Sequence, residues 1–453
     1  MFQAVTPVTA ARWRGVRLRL LALIPLLLVG AVLVPTAGAA ATTPQGVDTS
    51  KYQHDDGGAL NWGAVRRSGR SFAFLKATGT KGVDPWFARD WAAAGRAGIV
   101  RGAYHYADPS QPADAQAAFA VQTVGSTREA GNLGIALDLE STGGLGPEAL
   151  AAWAHTFLDG VERRTGRVPI LYTYVSFWHN AMADNRSFGA YPLWLARYGP
   201  RPEPLAGWSQ WTFWQHSSSA HVPGIAGFTD VNTMCCSSGT LNALADGRTT
   251  AITALWRRLG AASGTLGLPL GQEVKVPGGW AQSFQRGYVV STKDHGTFPV
   301  LGSILARYRA TGGTTGVLGV PTEAAQDLGL GATRQIFVGG LIVNSPATGA
   351  HSLRGDVALR WRRDGGLRSQ EGLPVAEPVV VGQQFRGGGL YRTRSGVHLV
   401  PGAINDRYLE LGGPTSILGL PAREAQLLLG SRLVQFDAGT LAEITAAGQT
   451  VVV

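Results

Sequence analysis

The chain has 453 residues, 45% of them hydrophobic and only 15% charged, which suits more than one buried core and excludes the disordered classes. That length predicts two or three domains. The formal charge of +10 is uneven, with 16 basic and 17 acidic residues over 46–246 against 20 and 13 over 248–453. No basic cluster marks a nucleic-acid partner. Anionic wall polymers are the natural counterpart of such a half, beside a basic pI with no dedicated partner.

Residues 1–41 read as an export signal. Arg12, Arg14, Arg17 and Arg19 precede an apolar run from Leu20 to Val34, and small residues at 37–41 supply a cleavage site near Ala39 or Ala41. Pro25 and Gly30 interrupt the run, which is shorter than the ~20 residues of a membrane span. The mature chain is therefore expected to be secreted, extracellular or wall-associated, with no stable membrane span.

Strand-like and helical runs then alternate over a first domain, 42–246. The first strand is Gly46 to Ser50. The second is Ser71 to Thr78, reached through an amphipathic segment at Trp62 and Val65. Val100 to Ala107 follows a helix from Pro85 to about Ala97. Gly134 to Glu140 follows an Ala-rich helix from Pro112 to Val124, and Val168 to Tyr174 follows a helix from Pro147 to Arg164. All three prolines suit a first helical turn. Pro192 to Tyr198, Thr212 to Ser217 and Thr229 to Asn232 complete eight strands with little helix between the last three. The predicted class is α/β: a modified (β/α) barrel, closed and parallel, with eight strands and about five helices, followed by a mainly β repeat domain.

Such a barrel carries its site at the strand C-termini, and the acids gather there. Asp138 and Glu140, one residue apart on the fourth strand, project from one face. Asp48 on the first strand and Asp230 on the last become neighbours when the barrel closes. Carboxylates aimed at one point suit acid–base work on a sugar or ester bond; the bland reading is an edge strand with two solvated acids. His105, His179, His216 and His221 have no ligand spacing, so neither metal nor cofactor is predicted. Cys235-Cys236 suits a vicinal bridge or two packed thiols equally.

Six motifs in order carry a resemblance. Asp48-Thr49-Ser50-Lys51-Tyr52-Gln53, Gly102-Ala103-Tyr104-His105-Tyr106, Leu137-Asp138-Leu139-Glu140, Leu193-Trp194-Leu195-Ala196-Arg197-Tyr198, Phe213-Trp214-Gln215 and Asp230-Val231-Asn232 resemble glycoside hydrolase family 25, the Chalaropsis-type lysozymes, over about 46–240. The resemblance implies hydrolysis of the β-1,4 bond between N-acetylmuramic acid and N-acetylglucosamine in peptidoglycan. A glycosidic oxygen leaves poorly unless protonated, so an acid with a raised pKa is needed, and Glu140 among like charges fits that role. For Asp138 three roles stand open: nucleophile, base, or orienter of the substrate's 2-acetamido group. Asp48 and Asp230 are read as supporting carboxylates, with loop capping as their plain alternative. Tyr104, Tyr106, Tyr172, Trp194 and Trp214 are candidates for stacking on pyranose rings, against core packing for any one of them. Lys76 is a weaker candidate, competing with an ordinary surface lysine.

Residues 250–453 repeat four times. Leu266-Gly267-Leu268-Pro269, Leu318-Gly319-Val320-Pro321, Glu371-Gly372-Leu373-Pro374 and Leu418-Gly419-Leu420-Pro421 each follow an aromatic thirteen residues before the proline: Trp256, Tyr308, Trp361 and Tyr408. Each precedes a Phe with Gly three residues on. These copies resemble LGFP repeats, which implies binding to the cell envelope; a spacer role is the alternative. Glu371 departs from the leucine of the other copies. One copy is too poor in apolar residues to stand alone and should pack on its neighbours, as a row or around a common axis. The short connection, 241–250, favours docking of barrel and array over free swinging. The leading reading is a secreted muramidase with wall-binding repeats. The alternatives are a wall-binding protein without catalysis and a phage-type lytic enzyme of the same chemistry.

Overall fold

The computed structural model describes residues 43–54, 57–428, 431–444 and 449–452; the export signal expected over 1–41 lies outside the described residues. Eight principal strands form the barrel: β1 (Gln45–Thr49), β2 (Arg70–Gly79), β4 (Val100–Tyr106), β5 (Ala136–Asp138), β6 (Ile170–Tyr174), β7 (Leu193–Ala196), β8 (Phe213–Ala220) and β9 (Thr229–Met234). The two-residue β3 (Gly82–Val83) makes a hairpin arm on β2. The order is β1-β9-β8-β7-β6-β5-β4-β2, and pairing of β1 with β2 closes the ring.

The expected parallel barrel needs one correction: β9 runs antiparallel to both β8 and β1. Only residues 221–228 join β8 to β9, too few for the crossover of a dozen or more that a parallel return requires. The start of β9, not its end, therefore reaches the mouth, and it brings Asp230 directly opposite Asp48.

Six α-helices accompany these strands among the described residues: α1 (Trp62–Arg67), α2 (Phe87–Arg96), α3 (Ala113–Val124), α4 (Pro147–Thr165), α5 (Val175–Ala181) and α6 (Ser238–Leu244). Pro147 occupies the first turn of α4, but Pro112 is the N-cap of α3 and Pro85 precedes the Trp86 N-cap of α2. Strand periodicity sorts the apolar side chains into two layers. Leu137, Leu139, Leu171, Leu193 and Leu195 face outward to a cluster with α3, α4 and α5. Phe72, Phe74, Ala136, Ile170, Trp194 and Phe213 fill the interior. Gly46 and Gly102 are the complement of that filling, because a Cβ at either would run into the ring of Phe72 or Phe74.

The array continues from α7 (Ala251–Arg258). Each copy supplies a helix and a small antiparallel sheet. The sheets are β10 (Val274–Val276) to β13 (Gly296–Leu301), β14 (Gln326–Gly329) to β17 (Gly349–Arg354), β18 (Gly382–Phe385) to β20 (Gly396–Pro401), and β21 (Gln426–Leu428) to β24 (Gln449–Val452). The helices α8 (Gly302–Ala310), α9 (Gly355–Arg363) and α10 (Gly402–Glu410) carry the repeated aromatics, so each of these copies adds a helix to the mainly β array. Each of these helices shares a core with the preceding sheet and its own: Val300 meets Tyr308 and Phe337, Leu353 meets Trp361 and Phe385, and Val400 meets Tyr408 and Phe436.

One hydrogen bond explains the register. Trp256 Nε1 donates to the Gly267 carbonyl at 2.8 Å, Tyr308 Oη to Gly319 at 2.6 Å, Trp361 Nε1 to Gly372 at 2.8 Å, and Tyr408 Oη to Gly419. Trp and Tyr interchange because both carry a donor at the far edge of the ring. The accepting glycines have φ of 68–71°, a left-handed conformation that disfavours other residues. The following prolines bridge to the repeated phenylalanines in all four copies.

The barrel and the first copy share a core. Val168, Ala190, Leu244 and the bonded pair Cys235–Cys236 pack against Ile252, Leu255 and Trp256. Arg257 of α7 pairs with Glu162 of α4 at 3.2 Å, and the Ser263 N–H donates to the Gly189 carbonyl at 3.1 Å.

Candidate active site

Alternation along β5 builds the centre of the mouth. Leu137 and Leu139 face the helices, so Ala136, Asp138 and Glu140 face the barrel axis. Pairing ends at Asp138, yet the chain stays extended: the Leu139 N–H donates to the Tyr172 carbonyl at 3.0 Å, and Thr173 Oγ1 donates to the Leu139 carbonyl at 3.0 Å. Those two bonds fix Glu140 one step above Asp138.

The carboxyl groups fall into two neighbouring pairs, Asp48 opposite Asp230 across the β1–β9 pairing and Asp138 beside Glu140 at the end of β5, and the members of each pair perturb each other's ionisation. Burial raises the pKa of all four, most strongly for Asp48 and Asp138, where the facing acid adds to it. Like charges crowded in this way disfavour simultaneous ionisation of both members of a pair. Glu140 is the half-buried member of its pair, and its rise is limited by the adjoining Tyr172 and Asp138 side chains and by the Lys76 charge. Asp138 Oδ1 is buried and has no hydrogen-bond partner among the described residues.

Asp48 is held from below. Its Oδ2 accepts from Asn232 Nδ2 at 2.8 Å and from Gln215 Nε2 at 3.0 Å. Asn232 Oδ1 in turn accepts from Trp194 Nε1 at 2.7 Å, and Gln215 Oε1 accepts from the hydroxyls of Tyr172 at 3.1 Å and Tyr198 at 3.3 Å. Both amides lie within motifs singled out in the sequence without roles of their own. The alternation along β8 that turns Trp214 outward turns Gln215 inward.

The candidate aromatics divide. Tyr172 and Tyr174 line a groove of about 560 Å3 beside Glu140, with Ser176, Arg197 and Tyr198 on its wall. Tyr104 and Tyr106 are half-buried on the opposite side, close enough to the carboxylates that ionisation of either hydroxyl is disfavoured, first by burial and then by the negative charge. Trp194 is buried, stacked on Phe74 at 4.0 Å, so it supports the floor rather than offering a face. Trp214 is not brought to the mouth. It packs with Trp211 against the outer cluster, and its Nε1 donates to the Arg197 carbonyl. Lys76 lies at the mouth, with Nζ 4.7 Å from the Tyr106 ring centre and 6.0 Å from that of Tyr104. No group of three or more His, Cys, Asp or Glu among the described residues is arranged to hold a metal ion.

Comparison with known proteins places this geometry in context. The model of glycosyl hydrolases family 25 matches residues 47–225, and that of the LGFP repeat matches 266–316, 318–369 and 372–416. The fourth copy, beyond those matches, keeps the same aromatic–glycine bond and the same proline bridge. The uncharacterized protein YegX of Escherichia coli O6:H1 is 37% identical over 46% of this chain and 75% of its own length. Lysozyme M1 of Streptomyces globisporus is 35% identical over 47% of this chain and 74% of its own. The N,O-diacetylmuramidase of Chalaropsis sp. is 33% identical over 41% of this chain and 93% of its own.

Proposed function

The chain belongs to glycosyl hydrolases family 25 and is a peptidoglycan hydrolase of the lysozyme type; from that premise we propose that it is an exported muramidase, cleaving between N-acetylmuramic acid and N-acetylglucosamine. In this reading residues 1–41 direct export, 42–246 cleave, and 250–453 hold the enzyme to the envelope through the LGFP copies. No helix among the described residues is long and apolar enough to cross a membrane.

The observation that carries the mechanism is the unpartnered Oδ1 of Asp138 beside a half-buried Glu140. A buried acceptor without a donor is costly, and a substrate acetamido N–H supplies that donor. Asp138 so engaged holds the acetamido oxygen toward the anomeric carbon. Glu140, in its protonated form, delivers its proton to the departing glycosidic oxygen, and its carboxylate then activates the water that opens the cyclic intermediate. In this reading the route is retaining, with the acetamido group as the nucleophile, rather than inverting through a carboxylate-activated water. Asp48 and Asp230, both with raised pKa, are supporting carboxylates that set the charge Glu140 meets. Tyr172 and Tyr174 offer faces to the sugar rings.

The test is mass spectrometry of the products released from purified peptidoglycan. N-acetylmuramic acid at every new reducing end is the expected result; N-acetylglucosamine there would replace the muramidase reading with a glucosaminidase one. Co-sedimentation of the full chain with envelopes, set against a chain ending at 246, measures the repeats. Equal pelleting of the two would remove the targeting role.

A further inference from the structure

On the side of the mouth opposite the groove lies a second cavity, of about 410 Å3, with Lys51, Lys76 and Lys81 on its wall together with Tyr52, Tyr106 and Asp84. The chain has 5 lysines among its 40 basic residues, so 3 of the 5 converge on this one cavity. Arginine is the default cation everywhere else. Resting on the muramidase reading, we propose that this cavity is a subsite for a carboxylate carried by the substrate's muramyl residue, on its lactyl group or peptide stem.

The cavity is a built one. The β2–β3 hairpin, with Thr78 paired to Val83 and Gly79 to Gly82, lifts Lys81 on its tip above the mouth. The turn at Lys51–His54 forms the other wall. Asp84 ties the two together: the Ala77 carbonyl accepts from its N–H at 2.9 Å, and its buried carboxylate accepts from the N–H groups of Lys51 at 2.9 Å and Trp86 at 3.0 Å. The one acid on the wall is thus occupied with backbone donors. Among the described residues no carboxylate lies within salt-bridge distance of Lys51, Lys76 or Lys81; Lys51 and Lys76 instead stand over the rings of Tyr52 and Tyr106. With three ammonium groups against the single Asp84 carboxylate, the lining of the cavity carries a positive excess, and an anionic ligand is attracted to it.

Position identifies the anion's carrier. Lys76 is the shared wall: its charge reaches Asp138 and Glu140 on one side and the cavity on the other. A ring seated over the carboxylates therefore extends its substituent toward the lysines. Flexible ammonium groups suit a carboxylate of variable placement better than a rigid guanidinium fork does.

The experiment compares the full-length enzyme with Lys51→Gln/Lys81→Gln on three substrates: untreated peptidoglycan, peptidoglycan with its carboxyls amidated, and peptidoglycan stripped of phosphodiester polymers. Wild type should lose about fivefold in kcat/KM on the amidated substrate, mainly through KM, as for a partly exposed charge pair. It should keep its full rate on the stripped one. The double variant should not distinguish amidated from untreated material. Equal wild-type rates on those two overturn the subsite, as does a loss confined to the stripped substrate, which would identify phosphate as the ligand. Absence of new reducing ends on all three removes the muramidase reading itself, a failure distinct from either.

Discussion

Replacing Glu140 by Gln removes the proton donor while leaving almost everything else in place. The amide has the same volume, can donate to Asp138 as a neighbouring group, and remains within reach of the Tyr172 hydroxyl. Stability should therefore change by less than about 1 kcal/mol, typical of substitutions that keep packing and partners. Catalysis should not survive so well. General acid assistance contributes about 10²–10⁴-fold, equivalent to roughly 3–5 kcal/mol of barrier. The assay is the initial rate of reducing-end release from peptidoglycan, run beside a thermal melt. A second substrate, with an aryl leaving group that departs without protonation, isolates the role: Glu140→Gln should lose far less there, whereas Asp138→Asn should lose on both. The pH profile carries the same logic. Burial holds the Glu140 pKa above the ordinary carboxylate range, so the wild-type rate falls as pH rises through that value, and this alkaline limb disappears in Glu140→Gln. Retention of more than about a tenth of wild-type activity on peptidoglycan, or equal losses on both substrates, would refute the assignment.

Three further outcomes follow from the geometry. Burial and Asp230 raise the Asp48 pKa, so the folded barrel keeps a proton that the unfolded chain releases near pH 4. Its stabilisation is complete below that pH and lost as pH rises through the folded value; Asp48→Asn should therefore melt higher than wild type at pH 8, by about 1 kcal/mol or more, with little difference at pH 4. Tyr308→Phe removes the donor to the Gly319 carbonyl and should cost about 1–3 kcal/mol, seen as faster amide exchange in the second copy than elsewhere in the array. Glu371 is buried with Oε2 unpartnered, where Leu266, Leu318 and Leu418 are buried in the other copies, so Glu371→Leu should stabilise the third copy by about 1–2 kcal/mol in a thermal melt. An unchanged or lower melting temperature would mean that its contact with Asp364 outweighs the orphaned oxygen.

Much of the site was legible because strands write their geometry in a period of two. Once Leu137 and Leu139 are assigned to the outer layer, Asp138 and Glu140 must face inward, and eight strand-like runs bring Asp48 and Asp230 together by closure alone. The period of the array was equally plain. Its cause was not, because the Trp and Tyr side chains find their acceptor eleven residues later, at a glycine carbonyl that only the folded turn presents. The same alternation could have excluded Trp214 and admitted Gln215, had the facing of β8 been fixed first.

What remained belonged to the tertiary structure, for three physical reasons. Strand direction depends on connection length and packing, so the reversal of β9 reached the mouth from the opposite end while leaving Asp230 in place. Burial decides the fate of an aromatic, and Trp194 and Trp214 carry the same side chain into a barrel floor and an outer layer. Charge depends on company: Lys76 in the sequence is one lysine on a strand, whereas in the fold it stands between four carboxyls and a cavity holding two more of the chain's five lysines. The candidate catalytic residues were set by the sequence pattern, and the direction in which their pKa values move was set by what the fold buried around them.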